Sequence, residues 1–395
     1  MGFDVMRARE DTPGCATVAH LNNAGAALPP TVVTEAVIAH LQLEASIGGY
    51  EAAAQASGAV DNTYAAIARL IGCGVDEVAV VENATRAWDM AFYSLTFAAG
   101  DRILTSSAEY ASNAIALLQV ARRTGATVEV VDDDEYGQLD VADLARRLDS
   151  TVKLVAVTHV PTHGGLVNPA AAIGRLTKAA GVPFLLDACQ SVGQLPIDVE
   201  QIGCDLLSAT GRKYLRGPRG TGFLYVGAAL AENLQPPFLD LHSATWQAPD
   251  RYTVAPGARR FETWEGNVAG KIGLGVAVDY ALSWGLEAIE VQINELARSL
   301  RERLARCAGV RVHDHGENLC GIVTFSVDGV ASADVAAQLR QSGVNTSVTT
   351  AANSRFDPRA TQNLVRASVH YYNTEQELDR LCAALPTPKL VCAPP

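Results

Sequence analysis

Between residues 77 and 226, short apolar runs alternate with helical patterns. No other feature constrains the fold of this chain as much. The runs are Glu77–Glu82, Ile103–Ser107, Thr127–Val131, Leu154–Val160, Pro183–Asp187, Asp205–Ala209 and Gly222–Val226. Most are apolar throughout, so both of their faces must be covered. Helical stretches fall between them at Ala87–Phe97, Ser112–Arg123, Val141–Leu148 and Pro169–Ala180. The pattern predicts an α/β fold with a seven-stranded, mostly parallel sheet between layers of helices.

The flanking regions differ. Residues 1–20 read as irregular, and Leu21–Pro30 as a tight polar and glycine loop. A helix is predicted from Thr31 to Ala45, a break at Ser46–Tyr50, and a second helix from Ala59 to Ile71. Towards the C-terminus a long helical region spans Val268 to Cys307, interrupted at Trp284-Gly285. Strands Val310–Val312 and Ile322–Val327, helix Ala333–Gln341, strand Leu364–Tyr371 and helix Glu375–Ala384 follow. These elements predict a smaller C-terminal α/β domain, with a hinge near 250–268. At 395 residues the chain suits two domains. The large one is expected over 21–260, and the small one from 1–20 together with 261–395.

A formal charge of −12 argues against nucleic acid or an anionic membrane surface as partner. No apolar run reaches the length of a membrane span, and the first residues lack the apolar core of a signal peptide. The expectation is a soluble cytoplasmic protein. The eight cysteines are scattered without a Cys-x-x-Cys pair, which suits buried thiols. His159 and His163 have the spacing of two metal ligands on a helix, but Pro161 between them forbids that helix. His313 and His315 share a strand face without an evident third ligand, so no metal is expected.

In parallel sheets, ligands bind beyond the carboxyl ends of the strands. Four such ends carry reactive or anchoring groups. Asn83-Ala-Thr-Arg86 lies between a strand and a helix, where backbone N–H groups and the Thr85 hydroxyl make an anion site or a plain helix cap. Glu109-Tyr-Ala-Ser-Asn113 offers the ring of Tyr110. Asp187-Ala-Cys-Gln-Ser191 places a carboxylate directly after Pro-Phe-Leu-Leu, a costly burial without a partner. The fourth end leads through Thr210 and Arg212 to Lys213. Of five lysines, only Lys213 sits between a strand end and glycines. A lysine amine in that setting can form a Schiff base if its pKa is lowered. Arg212 next door favours the neutral amine. A phosphate site, an aromatic ring, a carboxylate and a lysine on separate strand ends are what pyridoxal 5'-phosphate requires.

The ordered run Asp187-x-x-Gln190-Ser191, Thr210-Gly-Arg-Lys213, Gly217-Pro218 and Gly220-Thr-Gly222 resembles the aminotransferase class V group. That group includes cysteine desulfurases, isopenicillin N epimerase and the C–S lyase of ergothioneine biosynthesis. The resemblance implies the pyridoxal-phosphate transferase fold of type I. It implies Lys213 as the Schiff-base lysine, Asp187 as partner of the pyridine nitrogen, and Gln190 at the ring hydroxyl. Ala84, Thr85, Thr210 and Arg212 would hold the phosphate. Tyr110 would stack on the ring, where the family usually places a histidine. Leu21-Asn-Asn-Ala-Gly and His159–Pro169 resemble the substrate loop and the loop over the ring, which implies substrate contacts for Asn23, Gly25, Thr162 and His163. Val365-Arg-Ala-Ser368 resembles the family's C-terminal arginine motif, with Arg366 for the substrate carboxylate.

Two departures matter. The stretch Gly343–Ser354 has no cysteine where desulfurases carry their nucleophile. Glu265 stands where the family's phosphate contact across the subunit interface would be a threonine. Ile47-Gly-Gly-Tyr50 and the glycine run after Lys213 look most like the ergothioneine lyase and the paired enzymes of lincosamide biosynthesis. The implied reaction is β-elimination from a cysteine S-conjugate in thiol or secondary metabolism. The alternatives are decarboxylation with oxidative deamination of the same conjugate, an epimerase or aminotransferase of the isopenicillin N type, and a non-catalytic binding protein. The resemblance also implies a homodimer with Arg86, Tyr50 and the 240–265 segment near the partner.

Overall fold

A computed structural model describes residues 3–388; Lys389 and Cys392 lie outside the described residues. The seven predicted strands form one sheet. Its spatial order is Val78–Val81, Gly222–Val226, Leu206–Thr210, Phe184–Asp187, Val152–Thr158, Arg102–Ser106, Thr127–Val131. Only Gly222–Val226 runs antiparallel to its neighbours. The five strands from Leu206–Thr210 to Thr127–Val131 pair in parallel. The central strands are buried along their whole length, which explains their continuous apolar sequence. Two apolar layers result. One holds Leu104, Val155, Leu186 and Leu207, the other Ile103, Leu154, Leu185 and Leu206.

A second sheet of four antiparallel strands follows the order Val310–Val312, Ile322–Val327, Leu364–Ser368, Ser347–Thr349. Helices Leu286–Arg306 and Ser332–Gln341 pack on it, and Glu375–Ala383 packs on Leu286–Arg306. Helix Val268–Trp284 instead packs on Thr31–Ile47 and Ser57–Ile71, and a 79° bend at Gly285 leads into Leu286–Arg306. No single helix among the described residues is long and apolar enough to cross a membrane.

Some expectations need correction. The described part of residues 1–20, from Phe3 on, is not irregular. It forms a helix, Val5–Glu10, capped by Asp4, and a short strand, Ala19–His20, that pairs in parallel with Val344–Asn345. Six residues are too few for a helical period to show. The helix predicted from Ala87 starts at Ala84, because Asn83 accepts from Arg86 N and sets the start earlier. The 250–268 segment begins with Arg251–Val254, which pairs back on Ala244–Ala248 as a hairpin. It is then pinned by Glu262, whose carboxylate accepts from Val80 N at 2.7 Å and Tyr64 Oη at 2.9 Å.

Candidate active site

The carboxyl ends of the parallel strands open into a cavity of about 460 Å³. Asn83, Ala84, Thr85, Tyr110, Thr158, Val160, Thr162, Asp187, Cys189, Gln190, Thr210, Arg212 and Lys213 line it. The structure therefore gathers all eight residues expected at the cofactor. Register explains this: Thr158, Asp187 and Ser208 are neighbours across three strands, so their following loops emerge side by side.

At one end stands the first turn of helix Ala84–Phe92. The N–H groups of Ala84 and Thr85 have no acceptor within that helix. Gly222 on the adjacent strand permits this approach, since a Cβ there would come within 2.8 Å of the Asn83 carbonyl carbon. Thr210 adds a hydroxyl. The site is thus suited to an anion.

Lys213 is half-buried. Burial lowers its pKa; Cys189 and Asp187 oppose that shift, and the charges of Arg212 and Arg366 add to it. The amine is driven towards its neutral, nucleophilic form. The loop after it is fixed by Arg216, whose N–H bonds Lys213 O at 2.9 Å. Among the described residues Arg216 is the one non-glycine with a positive φ, 61°. Its buried guanidinium donates to Leu28 O at 2.8 Å, to Tyr371 Oη at 2.8 Å and to the Thr12 hydroxyl.

Asp187 is buried, and its carboxylate is held by neutral donors only. Oδ2 accepts from Asn113 Nδ2 and Oδ1 from Cys189 N, each at 2.9 Å. Gln190 donates to Ala24 O at 3.1 Å and to the Thr162 hydroxyl at 3.3 Å, while its Oε1 is buried without a partner. Tyr110 is 39% exposed and lines the cavity.

Arg366 lies behind Thr162. Its Nη1 donates to the Thr162 hydroxyl, Nη2 lies 3.4 Å from Asn22 Oδ1, and Nε has no partner. No acid pairs with it among the described residues, and burial lowers its pKa.

Other expected residues are turned elsewhere. Asn23 is fully buried and committed to the fold: it donates to His20 O and Ser368 O and accepts from Tyr372. Asn22 is the loop amide that reaches Arg366. Gly25 gives its carbonyl to Arg212 Nη1, which ties that guanidinium to the N-terminal loop at the edge of the cavity it lines. His163 turns to the Thr349 hydroxyl, in a separate cavity of about 90 Å³. Burial and then Arg366 push its pKa down to about 4.

Several lining or supporting residues were not anticipated, Thr158 and Val160 among them. Cys189 lines the cavity, and burial with the Asp187 charge pushes its thiol up to about 12. Glu109 lies behind Asp187. The signal for Glu109 was an acid just past the end of the Arg102–Ser106 strand, one helical turn before the amide Asn113.

Among the described residues no cluster of three or more histidine, cysteine or carboxylate side chains is arranged to hold a metal ion. A second cavity, of about 660 Å³, is lined by Tyr50, His242, Thr263, Trp264 and Glu265.

The chain is similar to known proteins along most of its length. The family model for aminotransferase class-V matches residues 18–381. A probable cysteine desulfurase of Methanothermobacter thermautotrophicus is 30% identical over 85% of this chain and 84% of the relative. The apo structure of a cysteine desulfurase from Thermococcus onnurineus superposes with a TM-score of 0.89 at 26% identity, covering 97% of both chains. A cystine C–S lyase bound to its product cysteine persulfide shares the fold, with a TM-score of 0.84 at 24% identity over 94% of this chain and 98% of that one. The chain belongs to the aminotransferase class-V family.

Proposed function

We propose that this protein is a pyridoxal-phosphate-dependent C–S lyase acting on a cysteine S-conjugate. The cofactor of the site is pyridoxal 5'-phosphate, and the residues present suit it. The open N–H groups of Ala84 and Thr85 with the Thr85 and Thr210 hydroxyls would hold its phosphate. Tyr110 would cover a ring face, Asp187 would face the ring nitrogen, and Gln190, with a free Oε1, would meet the ring's polar edge. Lys213 would hold the aldehyde carbon. When bound, the cofactor supplies an electron sink that lowers the cost of breaking a bond at the amino acid's Cα.

The chain's own groups then choose the bond. Lys213 Nζ, whose pKa burial lowers, is the base for the Cα proton. Arg366 supplies a forked cation without an acid partner, suited to the substrate carboxylate. Holding the carboxylate and the amine together fixes which Cα bond faces the sink. With sulfur on Cβ, loss of the Cα proton expels a thiol.

One observation favours elimination over sulfur transfer to the protein. The loop around Thr349–Ser354 carries no cysteine, and the cavity thiol, Cys189, is held in its neutral form. The test is mass spectrometry of products from a cysteine S-conjugate. Thiol with pyruvate and ammonia supports the lyase. Aldehyde with carbon dioxide would mean decarboxylation with oxidative deamination, and a stereoisomer would mean epimerisation.

The protein works as a homodimer in this reading. Tyr50, Phe238, Leu241, Trp246 and Trp264 are all more than half exposed, and Tyr50 and Trp264 border the second cavity. Glu265 lines that cavity, so a partner's phosphate there would meet a carboxylate.

A further inference from the structure

Behind Asp187 lies a second carboxylate that the chemistry above does not use. Glu109 follows the Arg102–Ser106 strand and is only 4% exposed. Its Oε1 accepts from Tyr110 N at 2.8 Å, from Asn113 Nδ2 at 2.9 Å and from the Thr158 hydroxyl. Its Oε2 accepts from the Thr105 hydroxyl at 3.0 Å and from Thr158 N at 3.2 Å. Asn113 Nδ2 also donates to Asp187 Oδ2 at 2.9 Å. An amide nitrogen carries two N–H groups, so Asn113 gives one to each acid.

No cation pairs with either acid among the described residues. Two buried carboxylates joined by a neutral amide form a costly arrangement unless positive charge is brought to them. The approach open to such a charge is the cavity, which Asp187 lines and Glu109 does not reach. Every contact to the Glu109 oxygens is a donor, the bonding of a carboxylate. Burial and then the Asp187 charge push its pKa up to about 6 against the Thr158 and Asn113 bonds, so it carries its charge above that pH.

We propose, resting on the cofactor reading above, that Glu109 is a positioning residue for Asp187. Through Asn113 it fixes the Asp187 carboxylate and sets a second negative charge behind it, so that the cavity favours a cationic ring nitrogen.

The experiment measures dissociation constants for two ligands on the cofactor-free protein. One is pyridoxal 5'-phosphate; the other is its analogue with the ring nitrogen replaced by carbon. Glu109→Gln removes the charge but sets an NH₂ group against the Thr105 and Thr158 donors, so it risks the local fold. Asn113→Ala keeps both acids and suits its helix, and breaks only the bridge. Each lost hydrogen bond to a charged group predicts that pyridoxal phosphate binds roughly tenfold more weakly or worse. The nitrogen-free analogue should bind both variants within about twofold of the parent, since it presents no cation. Equal losses for both ligands would overturn the proposal and make Glu109 and Asn113 supports of the fold alone. Unchanged binding of both ligands would overturn it too. A parent protein that binds neither ligand would instead sink the cofactor reading, and this inference with it.

Discussion

Arg366 meets Thr162 across the junction between the two sheets, its guanidinium donating to the hydroxyl and lying 3.4 Å from the carbonyl. The arginine comes from the central part of the small sheet, and the threonine from the loop after Val152–Thr158. A guanidinium has five donors, and here they meet only neutral oxygens, with Nε left over. That pattern suits an anion brought in by the substrate. Losing such a contact costs on the order of 2–5 kcal/mol. Arg366→Ala should therefore cut kcat/KM for the amino acid by roughly thirtyfold to several thousandfold. Cofactor affinity should stay. Arg366→Lys should not restore activity, because a point charge cannot hold both oxygens. Normal turnover by the alanine variant, or a variant that fails to fold, would remove the carboxylate assignment.

Lys213 is the one lysine in the cavity lining. The purified protein is expected to be yellow, and Lys213→Ala to lose the visible band of the lysine-bound cofactor. Borohydride reduction followed by peptide mapping should find the cofactor on Lys213. An adduct on another lysine sinks the reading.

Cys320 is fully buried, with its N–H bonded to Gly165 O at 2.8 Å and its carbonyl to Arg301 at 2.9 Å. Burial pushes its thiol up to about 11, so it is no nucleophile. Cys320→Ala should cost roughly 1–2 kcal/mol of stability through a small cavity and leave the chemistry alone. Incubation with free cysteine should yield no protein persulfide. A persulfide trapped by alkylation on any cysteine, Cys189 included, would contradict this.

The seven strands were legible because burial on both faces writes itself as unbroken apolar runs. The strand ends that hold Asp187 and Lys213 could be located for the same reason. Side-chain direction was not legible. Asn22 and Asn23 are adjacent and identical in type, yet one reaches Arg366 and the other is consumed by His20, Ser368 and Tyr372. His163 follows Thr162 directly, and the two point into different cavities. Glu109 was passed over because its meaning depends on Asp187, which joins it only when two separate strands pair with their shared neighbour. The Ala244–Val254 hairpin was hidden because its strands are largely exposed and carry no apolar period.

The exposed aromatic group predicts association. Tyr50 is 76% exposed, Trp246 71% and Trp264 59%. Light scattering should give the mass of two chains at micromolar concentration. Replacing Trp246 and Trp264 together with aspartate should shift the protein to monomer and lower turnover. A fully active monomeric parent would refute the dimer.

His159 predicts how stability responds to acid. Its ring is buried, and Nδ1 has no hydrogen-bond partner. Burial pushes its pKa down to about 4, from an ordinary value of 6.5. Between those limits the unfolded chain takes a proton that the folded chain refuses. Stability therefore rises with pH across the window, and falls as pH drops from about 6.5 towards 4. Full loss of this contribution would cost about 3 kcal/mol. His20 and His370 are also lowered by burial and act with the same sign. Glu109 opposes them. Raised to about 6, it holds a proton in the fold that the unfolded chain has released, so it favours the fold between about 4.5 and 6 by roughly 2 kcal/mol. Replacing His159 with leucine removes its share. Between pH 7.5 and 5.5 the parent should lose about 1 kcal/mol more unfolding free energy than His159→Leu. Urea melts of both proteins at the two pH values measure this directly. Equal losses would mean that His159 takes its proton inside the folded protein, and that the burial argument fails.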